Sequence, residues 1–170
     1  MISPRWLLVL SLVSGVGVLW TAGIAAALAA GVRPVAAPVA IAVAAALTVP
    51  AFVAGILANR RGYQTTEPRR LWRLASWVPP HVPHWAAALA AVLFFGFWLT
   101  IVLAFAALEG TPEMRDGRTV LTEGDRVTEV SRSVYDRQLD HELQISLGVL
   151  GAFAVGGTFL SAARATHPLD

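Results

Sequence analysis

The sequence predicts an all-α membrane protein, an antiparallel bundle of four transmembrane helices. Composition is the first observation behind this prediction. The 170 residues are 56% hydrophobic and only 14% charged, whereas soluble domains are about 45–50% apolar and about 25% charged. The second observation is that four stretches of 21 to 35 residues contain no Asp, Glu, Lys or Arg. Each is long enough to cross about 30 Å of hydrocarbon as a helix.

These charge-free stretches divide a single membrane domain, residues 1–170, into spans and connections. The first connection is short, so the first two helices should form a tight hairpin. Pro50 lies inside the second span, where its missing backbone donor should kink the helix. The predicted spans are about 6–30, 35–58, 85–108 and 143–163, and the long connections are 59–84 and 109–142.

The first span also has features of a cleavable secretory signal, because Arg5 precedes it and an Ala-rich segment, 25–30, ends it. Its apolar run is about 25 residues, whereas a signal usually has about 7–15. We therefore expect an uncleaved helix. Cleavage would leave three spans with the remaining topology unchanged.

The distribution of Arg predicts the orientation. All thirteen basic residues are Arg. Five of them lie within fourteen residues of connection 59–84, whereas five are spread over connection 109–142. Bases close to the ends of spans favour the cytoplasmic side. We therefore expect both termini and residues 59–84 inside and residues 109–142 outside. The absence of Lys and the abundance of Ala are typical of a GC-rich genome, so we expect a multi-pass protein of a bacterial cytoplasmic membrane.

Residues 66–78 of the inner connection have the pattern of a short interfacial helix. Leu and Ala fall on one face of a helical wheel, Arg falls opposite, and Trp lies at the two borders. This arrangement is typical of a helix lying among lipid headgroups. It anchors the chain to the bilayer, with a lipid sensor or a partner-docking helix as the alternative. The residues assigned to this membrane interface are Arg69, Arg70, Trp72, Arg73 and Trp77.

The outer connection has the pattern of an ordered loop. Residues 118–121 and 126–130 contain β-branched residues and flank a turn-rich segment, which predicts a β-hairpin with a four-residue loop. Ser131 suits a helix N-cap, so the fourth helix should begin at Arg132 and protrude about 15 Å from the membrane. Val130 and Tyr135 are spaced as a hydrophobic staple. The residues expected to hold this loop in one conformation and form an interaction site are Gly117, Gly124, Val130 and Tyr135.

The pattern Asp116-Gly117, Leu121, Gly124, Val130-Ser131 and Tyr135 resembles the outer loop of uncharacterised small four-helix bacterial, in particular actinobacterial, integral membrane proteins. The resemblance covers about 25 residues together with the order of the spans. It implies an extracytoplasmic hairpin between the third and fourth helices, and it implies no known activity.

The residues that could carry chemistry favour a protein without a catalytic, cofactor or metal site. The chain has no Cys, which excludes disulfides and thiolate ligands. His81 and His84 are three residues apart, but the prolines around them prevent a regular helix, and a structural zinc site needs about four ligands. Asp140-His141-Glu142 is typical of a solvated helix end. No ionisable side chain lies within the spans, which counts against a proton-coupled transporter or a charged channel filter.

A ladder of small residues in the fourth span predicts close helix packing. Gly148, Ala152 and Gly156 repeat every four residues, and such faces allow helix backbones to approach closely in lipid. The ladder is used either within one bundle or between copies of the chain.

The functional expectation is a non-catalytic integral membrane protein with a structural, accessory or interaction role through the outer loop. Its expected partners are the lipid bilayer and either another protein or a second copy, bound through helix 4 or the outer loop, and no nucleic acid. One alternative is a transport component or small-solute channel. The other is a membrane enzyme that uses outer-loop carboxylates, of which the candidates are Asp116, Asp125 and Glu142.

Overall fold

The computed structural model of the chain describes residues 3–64 and 82–165, and of residues 59–64 only the backbone. Four long helices carry a small antiparallel sheet between the third and the fourth. All four helices are long and apolar enough to cross a membrane. The elements are α1 Pro4–Ala29, α2 Ala37–Gln64, α3 His84–Ala106, β1 Thr111–Arg115, β2 Arg118–Glu123, β3 Arg126–Glu129 and α4 Arg132–Ala165.

The prediction of four helices of spanning length is therefore confirmed, and α4 begins at the predicted Arg132. The predicted interfacial helix, with Arg69, Arg70, Trp72, Arg73 and Trp77, lies outside the described residues.

Helix α4 is the central helix of the bundle. It packs against α1, α2 and α3, whereas α1 and α2 also pack against each other. Helix α3 makes its main contacts with α4, so the bundle is a three-helix core with a fourth helix attached to one side. Helix α1 runs antiparallel to α4, because Ser11 bonds Thr158 and Ser14 bonds Ala154.

The predicted small-residue ladder of α4 packs within the chain. Gly148 lies against α3, where a Cβ atom would be 3.3 Å from the carbonyl oxygen of Phe97. Ala152 is only 4% exposed and belongs to the buried cluster around Phe97. Gly156 faces α2, where a Cβ atom would be 3.3 Å from the ring of Phe52. The drift of the ladder from α3 to α2 follows from the 3.6-residue period of the helix.

Two further glycines of α4 make closer contacts than Gly156. A Cβ atom on Gly151 would overlap the ring of Phe97. A Cβ atom on Gly157 would lie 2.9 Å from the backbone nitrogen of Phe52 and 3.2 Å from Ser14 Oγ. Glycine at these positions lets a Phe ring and the α2 backbone approach the α4 axis, which places α4 at the centre.

Hydroxyl groups on the spans join the helices by hydrogen bonds to backbone carbonyls. Ser14 Oγ donates to Ala154 O at 2.9 Å, and Ser161 Oγ donates to Ala51 O at 3.1 Å. Both serines are fully buried. An interhelical hydrogen bond in lipid contributes about 0.6 kcal/mol on average, so these residues add specificity to packing that small residues make possible.

The connection between α1 and α2 begins with a Schellman motif. Gly31 adopts φ +76°, the left-handed conformation that glycine favours. Its N–H bonds Leu28 O, and the N–H of Val32 bonds Ala27 O, both at 2.9 Å. The predicted tight hairpin between α1 and α2 thus begins at Gly31. Pro50 lies inside α2 as expected, on an exposed surface.

The sheet differs from the predicted hairpin in two respects. It has three antiparallel strands in the order β1-β2-β3, and β2 continues through Glu123, so that two residues, Gly124 and Asp125, replace the predicted four-residue loop. The sequence signal missed β1 because this strand is rich in charge and contains Pro112, a residue tolerated on edge strands. Strand β1 is an edge strand and pairs with β2 alone.

Candidate functional site

The two turns of the sheet use the residues that the sequence singled out. Asp116 and Gly117 adopt φ values of +51° and +77°, the pattern of a type I′ turn, for which Asp-Gly is a preferred pair. Gly124 adopts φ +57° at the first central position of the second turn. Gly117 and Gly124 therefore both stand where positive φ is required, at opposite ends of β2.

The central strand anchors the sheet. Val120 and Leu121 are each 6% exposed. Neighbouring residues of a strand point to opposite faces, so β2 is covered on both faces at this level. Both β1 and β2 contact α4. A lone hairpin is marginal in water, and this contact with α4 supplies the missing support. The sheet together with the first part of α4, Arg132–Glu142, is called the sheet module below.

Backbone hydrogen bonds fasten the end of β3 to β2 and to the start of α4. The N–H of Val130 donates to Thr119 O at 3.0 Å, and Thr119 Oγ1 donates to Val130 O at 2.7 Å. Ser131 Oγ accepts a hydrogen bond from the N–H of Val134. Ser131 is therefore the N-cap of α4, as predicted, although this hydrogen bond is long at 3.4 Å. Val130 is therefore held through its backbone.

Tyr135 is half-buried on the first turn of α4. Its N–H donates to Ser131 O, and the Arg132 guanidinium lies 5.9 Å from the centre of its ring. A staple contact between the side chains of Val130 and Tyr135 stays a prediction.

Gln138 is a residue whose role sequence reasoning missed. Gln138 is only 2% exposed. Its side-chain oxygen accepts a hydrogen bond from the N–H of Glu109 at 3.3 Å, and its side-chain nitrogen donates one to Ala107 O at 3.4 Å. It therefore joins the end of α3 to α4 and partners a carbonyl left free at the end of a helix. A neutral amide in a charged stretch next to a span was the available signal.

Arg33 forms a second link that the sequence did not indicate. Its Nε donates to Asp140 Oδ1 at 2.7 Å, and one terminal nitrogen donates to Asp136 O at 3.0 Å. The two paired side chains are 34% and 26% exposed, so solvent weakens the ion pair. The link nevertheless ties the α1–α2 connection to the sheet module at a defined point.

A groove lies between α1 and α3, above α4, and is called the lateral groove. Its volume is about 690 Å³. One wall is formed by small residues of α1 and the other by α3 residues between Val92 and Ala104. The α1 residues Ala22, Ala26 and Ala29 remain exposed, so the groove is open on one side. It exists because α3 contacts α4 but leaves α1 apart at this level.

The lateral groove has one polar end, formed by His141 and Gln144 of α4. His141 Nδ1 and Gln144 Oε1 are 3.3 Å apart, within hydrogen-bond distance. The rest of the lining is apolar apart from Thr100, whose hydroxyl donates to Gly96 O of its own helix. Neighbouring residues of the Asp140-His141-Glu142 segment thus make different contacts: Asp140 pairs with Arg33, and His141 faces the groove.

Two of the three carboxylates proposed for an enzyme, Asp116 and Asp125, lie far apart. Asp116 and Asp125 lie at opposite ends of β2, a strand of six residues that is about 20 Å long. Within residues 3–64 and 82–165, no three His, Asp or Glu side chains are grouped so that they could hold a metal ion.

Comparisons with protein-family models, with curated proteins and with solved structures find no match for this chain.

Proposed function

We propose that this chain is a non-catalytic, multi-pass protein of a bacterial cytoplasmic membrane that binds a protein partner through the sheet module on the extracytoplasmic side. The observation that carries the proposal is strand β3. All four of its residues are exposed, and it forms an edge of the sheet. An exposed edge strand presents unpaired backbone groups, and adding a partner strand is a common way to bind them.

The hydrogen bonds of the sheet identify which backbone groups β3 offers. The N–H of Val130 bonds Thr119 O, so Val130 points its backbone towards β2. Because these directions alternate along an antiparallel strand, Thr128 also points towards β2, whereas Val127 and Glu129 point their N–H and C=O groups away from the sheet. These two residues form the edge that a partner strand would pair with.

The connection of the sheet module to the bundle supports an interaction role. Helix α4 is continuous over 34 residues, or about 51 Å, from the module through the bundle. Gln138 and Arg33 add links to α3 and to the α1–α2 connection. A partner bound at the module would thus be held at a defined distance and angle from the membrane.

The two alternatives receive less support from the geometry. A channel or transporter needs a polar path through the bundle, whereas the lateral groove is largely apolar and its α1 wall begins at Ala22, partway along the helix. An enzyme using Asp116, Asp125 or Glu142 needs carboxylates that converge on one pocket, and Asp116 and Asp125 are separated by the length of β2.

The proposal is tested by photo-crosslinking in native membranes. A photoreactive residue at Asp125, in the exposed turn next to β3, should give a discrete protein adduct, and the same residue at Leu12, 73% exposed on α1, should not. Val127→Pro removes an outward N–H and should abolish the adduct, whereas Val127→Thr keeps it. An adduct that survives Val127→Pro, or identical patterns at both positions, would refute binding through β3. An adduct of twice the mass would identify a second copy as the partner.

A further inference from the structure

The lateral groove has the dimensions of a site within one leaflet of a membrane. Its α3 wall runs from Val92 to Ala104, which is about 18 Å along the helix. Half of a hydrocarbon core is about 15 Å thick. The volume of about 690 Å³ lies within the range of roughly 300–1,000 Å³ typical of ligand sites. The groove therefore matches an elongated apolar ligand that lies along the helices.

A hydrocarbon chain fits this space better than a helix from a second copy. The α1 wall consists of alanines, among them Ala22 and Ala26, so it offers an apolar surface without hydrogen-bonding side chains. A lipid has an apolar chain for this wall and a polar head for the end formed by His141 and Gln144, and this match favours a lipid over a helix.

A positive charge, Arg137, lies one helical turn beyond the polar end of the groove. Arg137, His141 and Gln144 follow one another at spacings of four and three residues, so they share one face of α4. Because helix side chains tilt towards the N-terminus of their helix, these three side chains tilt towards the end of α4 that carries the sheet module. The side chain of Arg137 is exposed, and within residues 3–64 and 82–165 it makes no hydrogen bond or ion pair. By contrast, Arg33 pairs with Asp140.

Two carboxylates close to Arg137 in α4 are paired with other arginines. Asp136 lies 3.5 Å from the Arg132 guanidinium, and Asp140 is engaged by Arg33. Glu142 is turned about 100° around the helix from its neighbour His141. Arg137 is thus a cationic side chain, one helical turn from the groove, that has no partner in the described part of the chain.

We infer that the lateral groove binds an anionic phospholipid, with one acyl chain between α1 and α3 and the phosphate group at Arg137, His141 and Gln144. The apolar walls accommodate the chain, and the Arg137 guanidinium, the imidazole N–H and the Gln144 amide can donate hydrogen bonds to phosphate oxygens. Basic pockets between transmembrane helices on the cytoplasmic side of other membranes bind anionic lipid headgroups, and we infer the same chemistry at this end of the bundle. The bound lipid would fill the side of the bundle that α1 and α3 leave open.

The headgroup contact is tested by native mass spectrometry of the purified full-length protein in mild detergent. Phosphatidylglycerol and phosphatidylcholine with the same acyl chains are added in equal amounts. Wild type should retain phosphatidylglycerol with roughly fivefold preference, which corresponds to the contribution of about 1 kcal/mol expected for one Arg near anionic lipid. Arg137→Gln should remove this preference. Arg126→Gln, the same charge change on exposed β3, should leave it intact.

The chain contact is tested by filling the groove. Ala26→Phe should abolish retention of either lipid, whereas Ala42→Phe, at an exposed alanine of α2 outside the groove, should not. Millimolar inorganic phosphate should fail to displace phosphatidylglycerol, because it cannot make the apolar contacts. The chain has no native Cys, so Ala26→Cys also reports whether two copies approach each other at this position.

Four results would overturn the inference. They are equal retention of the two lipids by wild type, retention by Ala26→Phe at the wild-type level, displacement of the lipid by inorganic phosphate, and disulfide crosslinking of Ala26→Cys between copies. The last result would assign the groove to a dimer. Each variant is compared with its matched control for equal thermal stability, so that loss of binding is separated from loss of folding.

Discussion

Replacing Gly157 by Ala should loosen the core formed by α1, α2 and α4. A Cβ atom at this position would lie 2.9 Å from the backbone nitrogen of Phe52 and 3.2 Å from Ser14 Oγ. The first neighbour is main chain, so rotation of a side chain cannot relieve the contact. Helix α2 must move away from α4, and the hydrogen bond from Ser14 to Ala154 O, now 2.9 Å, is strained as well.

The magnitude follows from a comparison with Gly23→Ala. Gly23 is also helical, and nothing lies within 4 Å of its Cβ position. Both substitutions gain about 1 kcal/mol of helix propensity, so this contribution cancels between the two variants. The difference in the free energy of unfolding is then the overpacking penalty, about 1–3 kcal/mol, plus about 0.6 kcal/mol for the weakened hydrogen bond. We expect Gly157→Ala to be less stable than Gly23→Ala by about 2–4 kcal/mol.

Thermal unfolding in mild detergent, followed by tryptophan fluorescence, measures this difference. For a chain of this size 1 kcal/mol corresponds to roughly 2–4 °C, so the two midpoints should differ by roughly 5–15 °C. Equal midpoints for Gly157→Ala and Gly23→Ala would refute the close approach of α2 and α4 at Gly157. The argument for a central α4 would then lose its main physical basis.

Three other predictions concern the sheet module and the orientation of the chain. Tyr135→Ala should lose about 1–3 kcal/mol of stabilisation from side-chain burial. In the purified variant trypsin should then cleave at Arg118 and Arg126, whereas wild type resists cleavage. Equal rates of cleavage would mean that Tyr135 does not hold the sheet. Gln138→Leu should leave two backbone groups between α3 and β1 without partners, which should lower the local stability by about 1–3 kcal/mol. The loss is measured as faster hydrogen exchange at the Glu109 amide. Unchanged exchange would contradict the role of the Gln138 amide. A reporter that is active only in the cytoplasm, fused after Asp170, should be active; activity of an export-dependent reporter at the same place would mean that the topology is inverted.

The glycine positions of the turns and the start of α4 could be predicted from sequence because each depends on local backbone chemistry, whereas the turn between β2 and β3 is two residues shorter than predicted. Gly117 and Gly124 both adopt the positive φ that their turn positions require. Gly31 closes the Schellman motif at the end of α1. These conformations depend on one or two residues and their immediate neighbours, so the residue types are sufficient evidence.

Strand β1 and the two links to α4 could not be predicted in the same way. Strand β1 has weak strand propensity and forms because β2 offers it a partner across the Asp116-Gly117 turn. Gln138 and Arg33 acquire their roles from groups that are 29 and 107 residues away in the chain. The neutral amide of Gln138 in a charged stretch marks it as unusual, but neither segment identifies the distant group that its side chain contacts.

The sequence by itself determined the four apolar helices, because a segment of about 20 residues without charge has one stable backbone conformation in lipid whatever its neighbours are. The tertiary structure alone decided which helix is central and where the bundle stays open. Ala, Gly and Leu recur on every span, and their hydrophobicity does not distinguish one partner from another in lipid. Close fit at Gly151 and Gly157 made α4 the central helix. The lateral groove followed, because α3 packs against α4 and leaves α1 uncovered.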